Sequence, residues 1–259
     1  VIWLQLLTVA LAAFGLWTFL GYGLARLLLP ATLRSDGVLF APLLGYALLL
    51  LLAYYGVSTA LSLRALLPPL LLGGVALNLL SWRLAPPLLL RRWHAGVLAL
   101  AACSYLIGVL PLPLYGVFAP IGENWDSEVY LPTADYLTGL TQPRIAGEAL
   151  PNPLNHAPAN PPDAGLTLGF SCTQGLLSLL TSTTALETLA PLLALLRALG
   201  AVACALLARH VFGLGRPWAL AAGALAALHS VLLWSALFSF GMQLSAWPLL
   251  PLGITLLAS

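Results

Sequence analysis

Long apolar runs, each near the length of a bilayer crossing, alternate with short polar breaks over most of this chain. A crossing helix needs about 20 largely apolar residues. Runs of that kind lie at about 2–29, 38–57, 65–82 and 95–117, and three more follow at about 188–211, 217–239 and 243–258. Glycine and proline punctuate several of them, as at Pro68-Pro69 and Pro111-Leu-Pro113. Membrane helices tolerate both residues where neighbours re-satisfy the freed backbone groups. Trp3, Trp17, Trp82, Trp93 and Trp218 fall near the predicted ends, where an aromatic belt would place them. The pattern predicts an all-α, polytopic transmembrane helical bundle of about seven spans.

One segment breaks the pattern. Six of the eight acidic residues lie between Glu123 and Asp163. Hydrated carboxylates are costly in hydrocarbon, so this stretch must face water or a polar cavity at the membrane edge. Behind it, 164–180 (AGLTLGFSCTQGLLSLL) is marginal in length and carries Thr167, Ser171, Thr173 and Gln174. The positive-inside rule decides how to place it. With the acidic loop outside, Arg26/Arg34 and Arg83/Arg91/Arg92 fall on the cytoplasmic side, and Arg64 is a minor exception. If 164–180 crossed, Arg209-His210 and Arg216 would be forced outside; if it lies along the outer surface, they stay inside. The expected organisation is therefore a four-helix membrane region at 1–118, an extracytoplasmic loop with an interfacial helix at 119–187, and further transmembrane helices at 188–259.

Composition supports a membrane protein: 61% of residues are hydrophobic, 7% are charged and mean hydropathy is +0.98, against about 25% charged residues in a soluble domain. Val1–Leu29 is too long for a cleavable signal peptide and lacks a basic start. With no initiating Met and an end inside an apolar run, the chain is expected to be a processed form or a fragment of something longer. All ten basic residues are arginine, which excludes lysine-based catalysis and suggests a GC-rich genome; a bacterial plasma membrane is the expected location. The arginines are scattered over separate loops, so nucleic-acid binding has no support. Cys103, Cys172 and Cys204 sit singly in apolar contexts and read as small buried hydrophobes.

The densest acidic part, Asp126-Ser-Glu-Val-Tyr-Leu-Pro-Thr-Ala-Asp-Tyr-Leu137, reads as a short amphipathic helix whose Val129, Leu131, Tyr136 and Leu137 can dip into the membrane. Asp126 then stands at its N-terminus, where the macrodipole favours an anion, and a plain helix cap accounts for it. Glu128 reads equally well as a solvated first-turn acid. Carboxylates at i and i+2 can also hold a divalent metal, orient a sugar hydroxyl or supply a general base.

The ordering of these features resembles the integral-membrane glycosyltransferases of the GT-C superfamily, which use polyprenyl-phosphate sugars. Their acidic motif often runs Asp-Glu-x-x-Tyr-Ala-x-x-Ala. Asp126, Tyr130 and Ala134 match it at the same spacing, with the second acid displaced to Glu128. A Pro-Pro pair opening a surface helix is matched by Pro161-Pro162, and a span ending in basic residues then Phe-Gly by Arg209-His210-Val-Phe212-Gly213. Relatives usually meet the acidic loop after their first helix, whereas four spans precede it here.

The resemblance implies that Asp126 is the general base for an acceptor hydroxyl attacking the anomeric carbon of a lipid-phosphate sugar, with inversion. Glu128 would orient acceptor or donor, or share a metal with Asp126; Tyr130 and His156 would bind substrate. The donor phosphate would be met by Arg144 or Arg197. Expected partners are membrane lipids, the polyprenyl-phosphate sugar donor and a glycan, lipid or protein acceptor.

Arg197, inside LLALLRALGAV, is costly in a membrane and reads otherwise as a structural pair with a backbone carbonyl or a snorkelled side chain. His156 reads otherwise as a solvent-exposed loop residue. His229 and Gln243 sit in spans, where core hydrogen bonding or a polar cavity explains them; His94 and His210 read as interfacial. Two other classes compete: a transporter or flippase-like protein for lipid-linked substrates, which predicts intramembrane charged pairs and inverted repeats, and a non-catalytic membrane scaffold subunit whose loop docks a partner.

Overall fold

The computed structural model describes residues 2–59, 61–116, 126–139, 164–237 and 241–259, and among them every regular element is a helix. In chain order these are α1 (Ile2–Leu28), α2 (Ala31–Arg34), α3 (Gly37–Ser58), α4 (Leu63–Leu84), α5 (Arg92–Val109), α6 (Pro111–Tyr115), α7 (Asp126–Gly139), α8 (Ala164–Thr181), α9 (Ala185–His210), α10 (Arg216–Leu228), α11 (Ser230–Leu237), α12 (Gly241–Ala246) and α13 (Leu249–Leu257). Among the described residues, five helices are long and apolar enough to cross a membrane: Ile2–Leu28, Gly37–Val57, Leu63–Leu84, Arg92–Leu114 and Ala185–His210. They make the chain an integral membrane protein of helical-bundle type.

Local chemistry fixes where these helices start. The Ser62 hydroxyl accepts from the Ala65 N–H and opens α4. A capping box opens α9: Thr184 Oγ1 accepts from the Glu187 N–H, and Glu187 Oε2 accepts from the Thr184 N–H at 2.8 Å. Gly215 and Pro217 begin α10, proline being harmless in a first turn. Gly116, at φ 68°, closes α6 in the left-handed conformation.

Helices in lipid gain little from excluding water, so close packing of small residues matters more. The tightest contact is between α1 and α3: a Cβ at Gly21 would overlap the Ala41 carbonyl, and one at Gly45 would overlap the Trp17 carbonyl. The centre of the bundle is α9, of whose most apolar stretch 94% is buried, against 22% for α4. It packs on α1, α5, α8, α10 and α13, so the helices before and after the acidic loop share one core.

The last two apolar runs are divided. The first separates at His229 into α10 and α11, and the second turns at Trp247-Pro248 between α12 and α13. Two of the five tryptophans expected in a belt are instead inside: Trp17 is fully buried with its ring 4.9 Å from Tyr46, and Trp93 is 6% exposed. Trp3, Trp82 and Trp218 are exposed. Cys172 is buried as expected, but Cys103 is exposed and Cys204 half-buried.

Candidate functional site

The two ends of the bundle differ in chemistry. At one end α3 and α5 begin and α9 finishes, and Asp36 ties them together. Asp36 is completely buried. Its Oδ1 accepts from Trp93 Nε1 and His94 Nε2, both at 2.8 Å. Its Oδ2 pairs with Arg209 Nε at 2.8 Å and His210 Nε2 at 2.9 Å. The Arg209 guanidinium also lies 4.8 Å above the Trp93 ring. His94 Nδ1 accepts the Arg91 N–H, so the proton His94 gives Asp36 is that on Nε2. Burial alone raises the Asp36 pKa, but hydrogen bonds from His210, His94 and Trp93 and the Arg209 charge outweigh it. They hold the group well below the usual carboxylate range. Arg26 bonds the carbonyls of Ala85 and Pro86 at the same end. His94 is thus not interfacial: it is fully buried, and His210 contributes to the same ion cluster. Sequence reasoning missed Asp36, whose one signal is that it and Glu187 are the two acids outside the acidic stretch.

The opposite end is where α7 and α8 pack. Cys172 lies against the Ala53 carbonyl near the end of α3, Gln174 Nε2 donates to the Ala185 carbonyl at 2.6 Å, and Ser178 meets Thr188 at 3.4 Å. Gly169 lies against Leu50 and Thr181 bonds Thr183, so the described part of α8 runs along the C-terminal half of α3 to the start of α9. The close approach is possible because Gly175 leaves room for the Ala134 carbonyl.

Helix α7 starts at Asp126 and faces the bundle through Tyr130, Thr133, Ala134 and Leu137, all buried. Leu137 therefore packs on protein rather than dipping into lipid, and Leu131 and Tyr136 pack against the same core. The Tyr130 ring sits 5.0 Å from Phe170 of α8, and its carbonyl accepts from Ser171. At the far end of α7, Asp135 Oδ1 accepts the Ala185 N–H at 3.1 Å, joining α7 to the first turn of α9. Burial pushes the Asp135 carboxyl above its usual range, and that N–H partly offsets it. Of the predicted site residues, Asp126, Glu128 and Tyr130 share this helix. The side chains of Asp126 and Glu128 lie outside the described residues, as do Arg144 and His156 altogether, so the metal expectation for Asp126 and Glu128 lies outside them too.

Phe170 connects α7 to a cavity of about 760 Å³. Its walls are Leu50 and Leu51 with Tyr54 and Tyr55 from α3, Gly169 and Phe170 from α8, and Gln243, Ser245, Ala246 and Leu249 from the chain's last helices. Tyr46 secures the far wall by bonding both the carbonyl and the hydroxyl of Ser245. The space is mostly apolar with a few polar groups, the usual make-up of a small-molecule or lipid site.

Arg197 is elsewhere. It lies twelve residues along α9 from Ala185, about 18 Å at 1.5 Å per residue. It is 1% exposed; Nη1 donates to the Ala227 carbonyl at 2.8 Å and Nη2 to the Ser104 carbonyl. The geometry brings Arg197 together with α5 and α10, not with α7. His229 and Gln243, read from the sequence as core hydrogen-bonding residues or as lining a polar cavity, line two different cavities, both mostly apolar. No family model, curated protein or solved structure matches this chain.

Proposed function

We propose that the protein is a GT-C-like membrane glycosyltransferase that moves a sugar from a lipid-phosphate donor to a hydroxyl acceptor at the extracytoplasmic face. The observation that carries this reading is the junction of an acid-bearing helix with an apolar cavity. Helix α7 opens at Asp126, and one turn later the Tyr130 ring packs at a tilt against Phe170, which lines the apolar cavity of about 760 Å³. A polyprenyl chain fits such walls, while its phosphate and sugar would stay at the polar end beside α7. In this reading the last two apolar runs count as broken spans, giving seven, and the arginine-rich end faces the cytoplasm.

The chemistry follows from the groups. The Asp126 carboxylate takes the acceptor's hydroxyl proton while that oxygen bonds to the anomeric carbon. The bond from that carbon to the phosphate oxygen breaks, and the lipid phosphate leaves with the electron pair. Attack opposite the leaving group inverts the centre. A phosphate leaves readily, so one base suffices, and a positioned base contributes about 10²–10⁴-fold. Arg144 would offset the phosphate charge, and Glu128, Tyr130 and His156 would orient the sugars. A divalent metal held by Asp126 and Glu128 would serve the same end. Arg197, deep in the bundle, is left without a part in this step.

A transporter reading gains one specific support, the helix break at His229 beside Arg197, but Arg197 has no acidic partner among the described residues. The test is reconstitution with a panel of radiolabelled polyprenyl-phosphate sugars and hydroxyl acceptors. The transferase reading predicts release of lipid phosphate and a product of inverted anomeric configuration by NMR. Movement of intact donor across the bilayer without bond cleavage would sink it in favour of transport.

A further inference from the structure

The break between α10 and α11 is the least economical feature of the bundle. Helix α10 begins at the arginine-rich end and runs thirteen residues, about 20 Å at 1.5 Å per residue, before stopping at Leu228. Irregular backbone at such depth is stable only where protein buries it or a polar space adjoins it. A cavity of about 400 Å³ adjoins it, and its lining of Leu225, Ala226, Val231 and Leu232 is apolar apart from His229 and the Trp247 indole.

Three buried donor atoms near this break lack a hydrogen-bond partner among the described residues. Arg197 reaches it from α9: its Nη1 bonds the carbonyl of Ala227, beside the cavity-lining Ala226. Its Nε is buried and has no partner, and no carboxylate lies within ion-pair distance of it among the described residues. The hydroxyl of Ser104, whose own carbonyl holds Nη2, is also buried without a partner. Trp247 lies against Gly200, three residues after Arg197 and so on the same face of α9, and its indole N–H is the third such group. Gly108 keeps α5 slim here, since a Cβ would come within 3.1 Å of Nη2. Helix α11 restarts at Ser230, so its first N–H groups have no preceding turn to bond.

Among the described residues, backbone carbonyls are the only groups that bond Arg197, and no anion balances its charge. An uncompensated buried cation, two further buried donors and a helix start share one chemical preference, a negative charge with several acceptor atoms. We propose that the α10–α11 break is a binding site for a compact oxyanion, a carboxylate or phosphate group, held by Arg197, Ser104 and Trp247. The site is separate from α7 and does not depend on the transferase reading.

The purified protein in non-ionic detergent would be titrated with sodium acetate or inorganic phosphate, against a bulky sulfonate at constant ionic strength, while its Tm is followed. A parallel arm uses nanodiscs of phosphatidylcholine with or without phosphatidic acid. A saturable rise with acetate or phosphate assigns a free anion; a rise with phosphatidic acid alone assigns a lipid headgroup to the same site. Ser104→Ala removes a buried hydroxyl with no protein partner, so as mere packing it is neutral or stabilising. As a ligand contact it weakens the apparent affinity about tenfold or more, the scale of a hydrogen bond to a charged group. Trp247→Phe does the same through the indole N–H. No saturable rise in any arm, or a rise that both variants leave unchanged, overturns the proposal.

Discussion

Replacing Asp36 tests how the arginine-rich end of the bundle is held. Each carboxylate oxygen accepts from two donors: Oδ1 from Trp93 and His94, Oδ2 from Arg209 and His210. Asp36→Ala leaves the buried Trp93 and His94 donors without an acceptor and the Arg209 guanidinium without an anion. Removing one partner of a buried ion pair costs about 3–5 kcal/mol. The Arg209 and His210 side chains are 20% and 14% exposed and recover some water, which puts the expected loss at the low end, about 3 kcal/mol. Asp36→Asn keeps one oxygen for Trp93 and His94 but turns an NH₂ toward Arg209 and His210. Losing the charge-assisted bonds costs about 1.5–3 kcal/mol. The order of stability is therefore wild type, Asn, Ala, measured by reversible unfolding in mixed micelles and read by tryptophan fluorescence. The pH dependence has a fixed sign. The folded pKa lies below the unfolded one, so the stabilisation is complete above the ordinary Asp pKa of about 3.9 and is lost as pH falls from there through the depressed folded value. An Ala variant within about 0.5 kcal/mol of wild type, or an Asn variant weaker than Ala, would refute the reasoning.

Three further outcomes follow from the same geometry. Gly45→Ala sets a methyl group into the Trp17 carbonyl, which backbone cannot vacate, so a loss of about 3 kcal/mol or more and aggregation on size-exclusion chromatography are expected; a monodisperse, equally stable variant would contradict the α1–α3 contact. Asp135→Asn keeps an acceptor for the Ala185 N–H and removes a carboxyl whose pKa burial raises; it should be more stable than wild type at neutral pH, with the gain vanishing below about pH 3.9, whereas a loss at every pH would show that the charge itself is needed. Cysteines placed at Ser62 and Gly215 in a cysteine-free background should react with a membrane-impermeant maleimide from opposite sides, the first in intact cells and the second after lysis; labelling of both from one side would contradict the topology.

What the sequence revealed depended on the range of the signal. Run length located α1, α3, α4, α9 and the α5–α6 pair to within a few residues, because a crossing helix is a local property. Arginine placement reads 164–180 as lying along the outer surface, and the described contacts of α8 are with the C-terminal half of α3 and the start of α9. The breaks at His229 and Trp247 were not legible, since apolar composition continues through both and a neighbouring side chain, Arg197, takes up the freed carbonyl of Ala227. Trp17 and Trp93 were misplaced because position along a helix does not say which face meets protein. The Asp36 cluster was invisible for a similar reason: its partners are 57, 58, 173 and 174 residues away, and only the packed bundle brings them together.

The central claim concerns one carboxylate, and the direct measurement compares sugar transfer by wild type and Asp126→Asn, both reconstituted with the donor that wild type consumes. The substitution is nearly isosteric and cannot accept a proton, so the account predicts a rate lowered by about 10²–10⁴-fold with unchanged tryptophan fluorescence and Tm. Transfer by Asp126→Asn within a few fold of wild type would contradict it, and would leave Asp126 as the cap of α7.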